Sequence, residues 1–308
     1  MPASESRRDE AEGRPVRASR GLRAPAGTSA EGGRSTGPAA GSLTISVVIP
    51  VLDDATMLQR CLQSLTEQNV SASEVVVVDN GSSDRTAEVA AAYGAVLIQE
   101  QRRGIGHAAA AGYDAASGQI IARCDADSVL PPDWLQRIGR TFVEHDEVGA
   151  VSGPGRFYDV PVALSWCGAV LYMRLYFAVM WVTLGHAALF GSNTAFRADA
   201  WRAVRDHVHT GTDVHDDIDL SYHLGRVAVL RYDRSLRVGI SGRPLLSRRG
   251  LVVRWRRGVR SVVLHWPQDV PWKRWARRNG HVDRVPRRPW SPEHGAVPSG
   301  PRPGPGPG

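Results

Sequence analysis

Residues Gly118–Leu135 read GQIIARCDADSVLPPDWL. The apolar run from Ile120 to Cys124 predicts a buried strand. Pro131 and Pro132 stop it, and Asp133 opens a helix. Two carboxylates, Asp125 and Asp127, stand at the end of this strand with one small residue between them. In an open α/β sheet, ligands gather outside the carboxyl ends of the strands. A pair of acids in that place suits a hard divalent cation, Mg²⁺ or Mn²⁺. Such an ion takes few protein oxygens and leaves the rest of its shell to phosphate and water. Two solvated loop acids would leave the same trace, so the surrounding chain has to decide between the readings.

Upstream, strand and helix signals alternate. Leu43 to Val51 is a near-continuous apolar strand of the kind buried in parallel sheets. Asp53 or Asp54 can cap the next helix, in which Leu58, Cys61, Leu62 and Leu65 share one face. Glu74 to Val78 is a second strand, ending at Asp79 in a polar turn; a helix follows, and Gly94 closes it. Ala95 to Gln99 is a third strand. After it come a turn containing Gly104 and Gly106, then an alanine-rich helix that stops at Gly118. This order predicts an α/β fold, a doubly wound and mostly parallel sheet with flanking helices.

Downstream, Glu147 to Ser152 reads as a strand, and Val160 to Phe190 is strongly apolar. Its uncharged part, Leu175 to Phe190, is shorter than the ~20 residues that span a bilayer, so a buried or surface-lying helix is expected. Gly191 to Arg197 is a turn entering a short strand, and a helix begins near Asp199. Asp216, Asp217 and Asp219 crowd the first turn of another helix, where the dipole favours them. Ala228 to Tyr232 and Ser235 to Ile240 read as strands.

Four parts follow. Residues 1–42 are a polar tail expected to be disordered, and 43–246 form the α/β domain. Residues 247–267 are a basic amphipathic helix, and 268–308 a Pro/Arg/Gly-rich tail, also expected to be disordered. In the basic helix Leu251, Val252, Trp255, Val259, Val262, Val263 and Trp266 fall near one face and most arginines elsewhere. It can lie on an anionic membrane or pack on the domain with its basic face in water.

The chain has 308 residues, 42% of them hydrophobic, and a formal charge of +7. That is enough apolar material for a packed core. Almost all the basic residues are arginines, many in the two ends; Lys273 is the single lysine. Coding bias explains this as well as binding does. The three cysteines, Cys61, Cys124 and Cys167, are widely and irregularly spaced. They make neither a disulfide framework nor a zinc motif, and their apolar settings predict buried thiols in a reducing compartment. No secretory signal is visible before Gly41. The expected localisation is cytoplasmic, peripheral on the inner face of the plasma membrane if the basic helix binds lipid.

From Ser46 to Leu246 these residues resemble the family 2 glycosyltransferases, inverting enzymes of the GT-A fold. Val48-Ile49-Pro50-Val51-Leu52-Asp53 looks like the family's first strand and nucleotide-contact turn. Val77 to Asp84 looks like its second-strand signature, Asp125-Ala126-Asp127 like its Asp-x-Asp, and Asp216 to Leu220 like its late acidic motif. The resemblance implies a nucleotide-diphosphate sugar donor, a saccharide or lipid-linked acceptor, and Mg²⁺ or Mn²⁺. It implies that Asp127 binds the metal, with Asp125 sharing the task or holding the ribose, and that Pro50, Val51 and Asp53 flank the nucleotide. Asp79 would accept from the base or cap its own turn. Gly104 and Gly106 would let the backbone approach the donor, although a simple turn uses the same glycines. Asp217 would be the general base, with Asp216 next in line. Asn193 would bind an acceptor hydroxyl or stabilise its turn, Trp134 would pack a loop or touch the acceptor, and His215 would polarise the base or join the metal shell.

The departures narrow the expectation. Ala109 and Ala110 stand where the family often has Arg-Asn, and Asp216 where it commonly has Glu. Leu251 stands where a Gln-x-x-Arg-Trp motif would need its glutamine, which favours single addition over polymerisation. A nucleotidyltransferase would carry a glycine-rich basic loop after the first strand, where this chain has Leu52-Asp53-Asp54. A nucleic-acid-binding protein using the arginine-rich ends would bind electrostatically, but no interleaved aromatic motif accompanies them and no nucleic-acid partner is expected.

Overall fold

The structure, a computed structural model, describes residues 43–159, 170–243, 248–266 and 268–279. The first strands are β1 (Ile45–Val51), β2 (Glu74–Asp79), β3 (Val96–Gln99) and β4 (Ile120–Arg123). The helices between them are α1 (Ala55–Thr66), α2 (Thr86–Ala92) and α3 (Ile105–Ala115). Then come α4 (Trp134–Glu144), β5 (Val148–Ser152), β6 (Gly155–Phe157), α5 (Val170–Leu184), β7 (Thr194–Arg197) and α6 (Ala198–Val204). The chain continues through α7 (Asp216–Val227), β8 (Val229–Tyr232), β9 (Val238–Ile240), α8 (Arg248–Leu264) and α9 (Pro271–Asn279).

Seven strands form one sheet in the order β3-β2-β1-β4-β7-β5-β8, and β6 pairs with β9 in a small second sheet. The four N-terminal strands are mutually parallel, as the alternating pattern requires. β7 runs antiparallel to both β4 and β5, so the sheet is mostly rather than wholly parallel. Successive residues of β1 point to opposite faces: Val47 and Ile49 join the core layer that contains Leu58, Leu62 and Ile138, whereas Val48 joins the layer of Tyr113, Trp201 and Leu224. The strand order reverses direction between β1 and β4, which opens a crevice at their carboxyl ends. Pro50 marks that opening. Val48 accepts from Cys124 on the β4 side and Val51 from Asn80 on the β2 side. The missing N–H of Pro50 therefore faces β4, beyond the last registered pair Val48–Arg123, where no ladder bond is lost.

Three expectations need correction. The first turn of α1 is capped by neither Asp53 nor Asp54. The Ala55 N–H donates to Asp84, 29 residues on, at 2.8 Å. The helix α3 ends at Ala115 rather than at Gly118; Gly118 is pressed against Ser46, where a Cβ would sit 2.6 Å from the hydroxyl. Residues 268–279, read as part of a disordered tail, contain α9. Pro271 starts this helix rather than breaking it, because the first helical position needs no N–H partner. Trp275 Nε1 donates to the Val182 carbonyl at 2.8 Å and Arg274 Nε to the Leu184 carbonyl at 2.7 Å, fixing α9 on the end of α5. The expected tails at 1–42 and 280–308 lie outside the described residues, as does Cys167; Cys61 and Cys124 are buried free thiols. No helix among the described residues is long and apolar enough to cross a membrane.

Candidate active site

β4 ends at Arg123, Asp125 and Asp127 follow in the turn at its lip, and all three line one cleft. The Arg123 side chain is only 2% exposed. Its Nη1 donates to Asp216 at 2.6 Å, to Asp217 at 3.0 Å and to the Tyr113 hydroxyl at 3.2 Å; its Nη2 reaches Asp125 at 3.4 Å. One buried guanidinium thus ties the Asp-x-Asp to the first turn of α7, 93 residues on from Arg123. Burial alone would weaken its hold on the proton, but the carboxylates around it outweigh that and raise its pKa. Sequence reasoning passed over Arg123. Its signal was a lone charge inside an apolar strand, two residues before the first acid.

Asp125, Asp127, Asp216 and Asp217 line one cleft of about 190 Å³. The separation of Asp127 and Asp217 onto opposite sides of the molecule would have removed the case for an enzyme; instead they share this space. Asp125 also accepts from the Ser192 hydroxyl at 2.5 Å. Asp217 accepts from the Gly191 N–H at 2.8 Å, and a Cβ on Gly191 would lie 2.3 Å from the Asp217 carboxylate. Only glycine fits behind the acid. His215 occupies the N-cap position of α7 without a side-chain cap bond, and its buried Nδ1 has no partner.

The four carboxyls are not alike. Burial, then repulsion from Asp216, pushes Asp217 up to about 8 against the pull of Arg123. Burial also opposes the charge on Asp216, but Arg123 and His215 outweigh it and hold that carboxyl below the usual range. Burial and the neighbouring Asp125 charge push Asp127 up to about 6, against Arg243. Arg243 bonds Asp54 at 2.6 Å and reaches Asp127 at 3.4 Å. A site whose acids repel one another, and which recruits a guanidinium in partial compensation, suits a divalent cation. Asp125 and Asp127 have the oxygen chemistry to hold Mg²⁺ or Mn²⁺. His215, Asp216 and Asp217 form a second group whose ligand atoms lie within 4.8 Å of one another.

The nucleotide-side residues lie at the ends of β1 and β2. Pro50 and Val51 are buried in β1. Asp53 adopts φ 50°, a left-handed conformation uncommon for a residue with a Cβ, and accepts from the Ser83 N–H and hydroxyl. Asp79 is 4% exposed, and its two oxygens accept from the Ser82 N–H and from Gln99. In this state it serves its own turn. Gly104 and Gly106 answer to the protein itself: a Cβ on Gly106 would lie 3.0 Å from the Thr210 carbonyl, and one on Gly104 would lie 3.0 Å from the Thr212 side chain.

The two acceptor assignments fail on burial. Trp134 and Asn193 are both 0% exposed. Trp134 Nε1 donates to Asn193 at 2.9 Å, and Asn193 donates to the Leu236 carbonyl at 2.6 Å. They pin α4 to the loop before β7, beneath the cleft, and neither can meet a ligand. The cleft is lined elsewhere by Phe157, Tyr176, Phe190 and Ile240, with Arg254 and Arg257 from α8.

The family model for glycosyl transferase family 2 matches residues 46–204, just over half of the chain. Among curated relatives, glycosyltransferase AglE of Haloferax volcanii is 36% identical over 121 residues, covering 37% of this chain and 40% of its own length. The chain spans about two fifths or less of the curated relatives it matches most clearly. Among solved structures, the mannosyltransferase PcManGT from Pyrobaculum calidifontis, in complex with GDP-Man and Mn²⁺, is similar with a TM-score of 0.52 at 19% identity. That likeness covers 82% of this chain and 80% of the other. Glucosyl-3-phosphoglycerate synthase from Mycobacterium tuberculosis, with Mn²⁺, UDP and glucosyl-3-phosphoglycerate, gives 0.54 at 22% identity, covering 73% and 80%. These likenesses show a GT-A fold, and with the family match they show that the chain belongs to glycosyl transferase family 2.

Proposed function

We propose that the chain is a metal-dependent, inverting, single-addition glycosyltransferase that moves a sugar from a nucleotide-diphosphate donor to an acceptor hydroxyl. The observation that carries this reading is the cleft itself, where the Asp-x-Asp at the lip of β4 faces the acids of α7 across Arg123. Asp125 and Asp127 would hold the cation, Mg²⁺ or Mn²⁺, which when bound supplies Lewis-acid neutralisation of the leaving diphosphate. Pro50, Val51, Asp53 and Asp79 would border the nucleotide.

Asp217 is the general base. An acceptor oxygen attacks the anomeric carbon while its proton passes to the Asp217 carboxylate. The C–O bond to the diphosphate breaks with its electron pair going to the nucleoside diphosphate. Attack opposite the leaving group, with no covalent sugar–protein intermediate, inverts the centre. A base works best with a pKa near the operating pH, and the burial of Asp217 moves it in that direction. Asp216 stays ionised beside Arg123 and helps hold that guanidinium against Asp217.

The acceptor is proposed to be lipid-linked. On α5, Leu171, Leu175, Val179 and Val182 form one exposed stripe at helical spacing, with Leu171 66% exposed. On α8, Val252, Trp255, Val259, Val263 and Trp266 form another, with Trp255 69% exposed. The apolar face of α8 therefore points outward, whereas Ser261 and His265 face the body. Arg254 and Arg257 of the same helix line the cleft. Such a surface supports peripheral contact with an anionic membrane beside the acceptor end of the cleft.

The test is a panel of UDP- and GDP-sugars with and without Mn²⁺, read by thermal shift and by nucleoside diphosphate release. Asp217→Asn should retain donor binding and lose transfer by ~10²–10⁴-fold. Transfer near the wild-type rate in that variant would exclude Asp217 as the base.

A further inference from the structure

A second cluster of ligating side chains lies outside the cleft, on the other side of α7. Asp219 and His223 sit one turn apart on that helix, His265 directly follows α8, and His209 comes from the loop before α7. His209 Nδ1 is 2.8 Å from Asp219 Oδ1, and His265 Nε2 is 3.4 Å from the same oxygen. His265 Nε2 lies 3.4 Å from His223 Nε2, which is 3.6 Å from Asp219 Oδ2. One ligand atom from each of the four residues can be chosen so that all lie within 4.8 Å of one another.

We propose that these four residues form a structural Zn²⁺ site, separate from the Asp-x-Asp. A zinc ion takes nitrogen and oxygen ligands at ~2.0–2.1 Å in a tetrahedron, whose edges are then about 3.3 Å. His265 Nε2 stands 3.4 Å from both Asp219 Oδ1 and His223 Nε2, which matches those edges; the 3.6 Å separation of His223 runs to the other Asp219 oxygen, and the shorter His209 contact is a hydrogen bond that the ion would replace. The donors are also prepared for metal. The Ser261 carbonyl can only accept, so the proton of His265 sits on Nδ1, 2.7 Å away, and the Nε2 lone pair faces the cluster. Two Nε2 atoms facing each other need a shared proton or a cation between them. The second oxygen of Asp219 accepts from the His209 backbone N–H at 2.8 Å, an outer contact that orients the ligand.

Asp219, His223 and His265 are buried, and the His209 side chain is 45% exposed, which provides an entry path. Four protein ligands close the shell, so the role is structural and not catalytic. The ion would clamp α8, which brings Arg254 and Arg257 to the cleft, onto α7, which carries Asp216 and Asp217. It would also fix the loop whose Thr210 packs on Gly106. Three imidazoles and a carboxylate in a tetrahedral space favour zinc over Mg²⁺ or Mn²⁺, which prefer oxygen shells.

The test uses the full chain and needs no substrate. Metal analysis of purified wild-type protein should find one zinc per chain. Cobalt exchange should produce the visible bands of a tetrahedral site. Asp125→Asn/Asp127→Asn should retain both signals, and His223→Gln/His265→Gln should lose both. Should the double histidine variant fail to fold, His209→Ala, with its half-exposed ring, should fold and bind zinc more weakly in competition with a chromophoric chelator. Folded, metal-stripped wild-type protein that takes up no Zn²⁺ in that competition would overturn the proposal. So would an ion that disappears with Asp125 and Asp127 and not with the histidines. Neither result bears on whether the cleft transfers sugar.

Discussion

Replacing Arg123 by methionine removes the cation that Asp216, Asp217 and Asp125 share, while nearly preserving side-chain volume. Arg123 is 2% exposed, and Asp216 and Asp217 are 14% and 9% exposed at the side chain, so water cannot take over its task. Breaking a buried ion pair by removing one partner costs about 3–5 kcal/mol, because a charge is left uncompensated. Each kcal/mol shifts the melting midpoint of a domain of this size by ~2–4 °C. The expected loss is therefore about 6–20 °C at pH 7.5, measured by scanning calorimetry or urea unfolding. The loss should shrink in acid. In the wild type, Asp216 has a lowered pKa, so its contribution is present above the unfolded carboxylate pKa and fades as pH falls. In the variant both acids hold protons more strongly when folded than when unfolded, so stability rises as pH falls. Adding Asp216→Asn and Asp217→Asn to Arg123→Met should restore much of the midpoint. A variant within about 1 kcal/mol of wild type, or one whose loss grows in acid, would refute the view of Arg123 as the electrostatic centre of the site.

The Asp217 carboxyl lies near 8, so a transfer reaction using it as base should slow as pH falls below that value, and Asp217→Asn should abolish this limb. The same raised pKa gives a stability contribution that is present in acid and lost as pH rises through about 8, readable by unfolding across that range. Trp134→Ala should destabilise by ~3–5 kcal/mol and leave the KM for acceptor unchanged once folded; a selective rise in that KM would return Trp134 to the acceptor site. Gly191→Ala should lower kcat with little effect on donor affinity, because the new Cβ collides with Asp217 and Arg123 and not with the Asp-x-Asp. Anionic vesicles at low salt should pellet the protein, and Trp255→Glu with Val259→Glu should release it; full recovery of wild type in the supernatant would remove the membrane contact.

The order of elements and the two acidic motifs were legible in the linear sequence because their causes are local. Apolar runs of strand length, helical spacing of Leu58, Cys61, Leu62 and Leu65, and turn residues at Asp79–Thr86 act within a few positions. The Asp-x-Asp could be read at once, since strand, acids and proline stop occupy eighteen consecutive residues. What the sequence could not decide is whatever depends on distant residues meeting. Nothing local shows that Ala55 is capped by Asp84, that Asn193 receives the Trp134 indole N–H, or that the apolar stripe of α8 faces water. The spacing of Gly104 and Gly106 does not show that Thr210 and Thr212 pack where their side chains would be. Most of all, the pKa order among the acids follows from Arg123, whose reach to α7 depends on β7 running antiparallel beside β4 and returning the chain to the crevice. Hydrophobic periodicity is written residue by residue. Electrostatic pairing is set by through-space distances, and those exist only once the chain has folded.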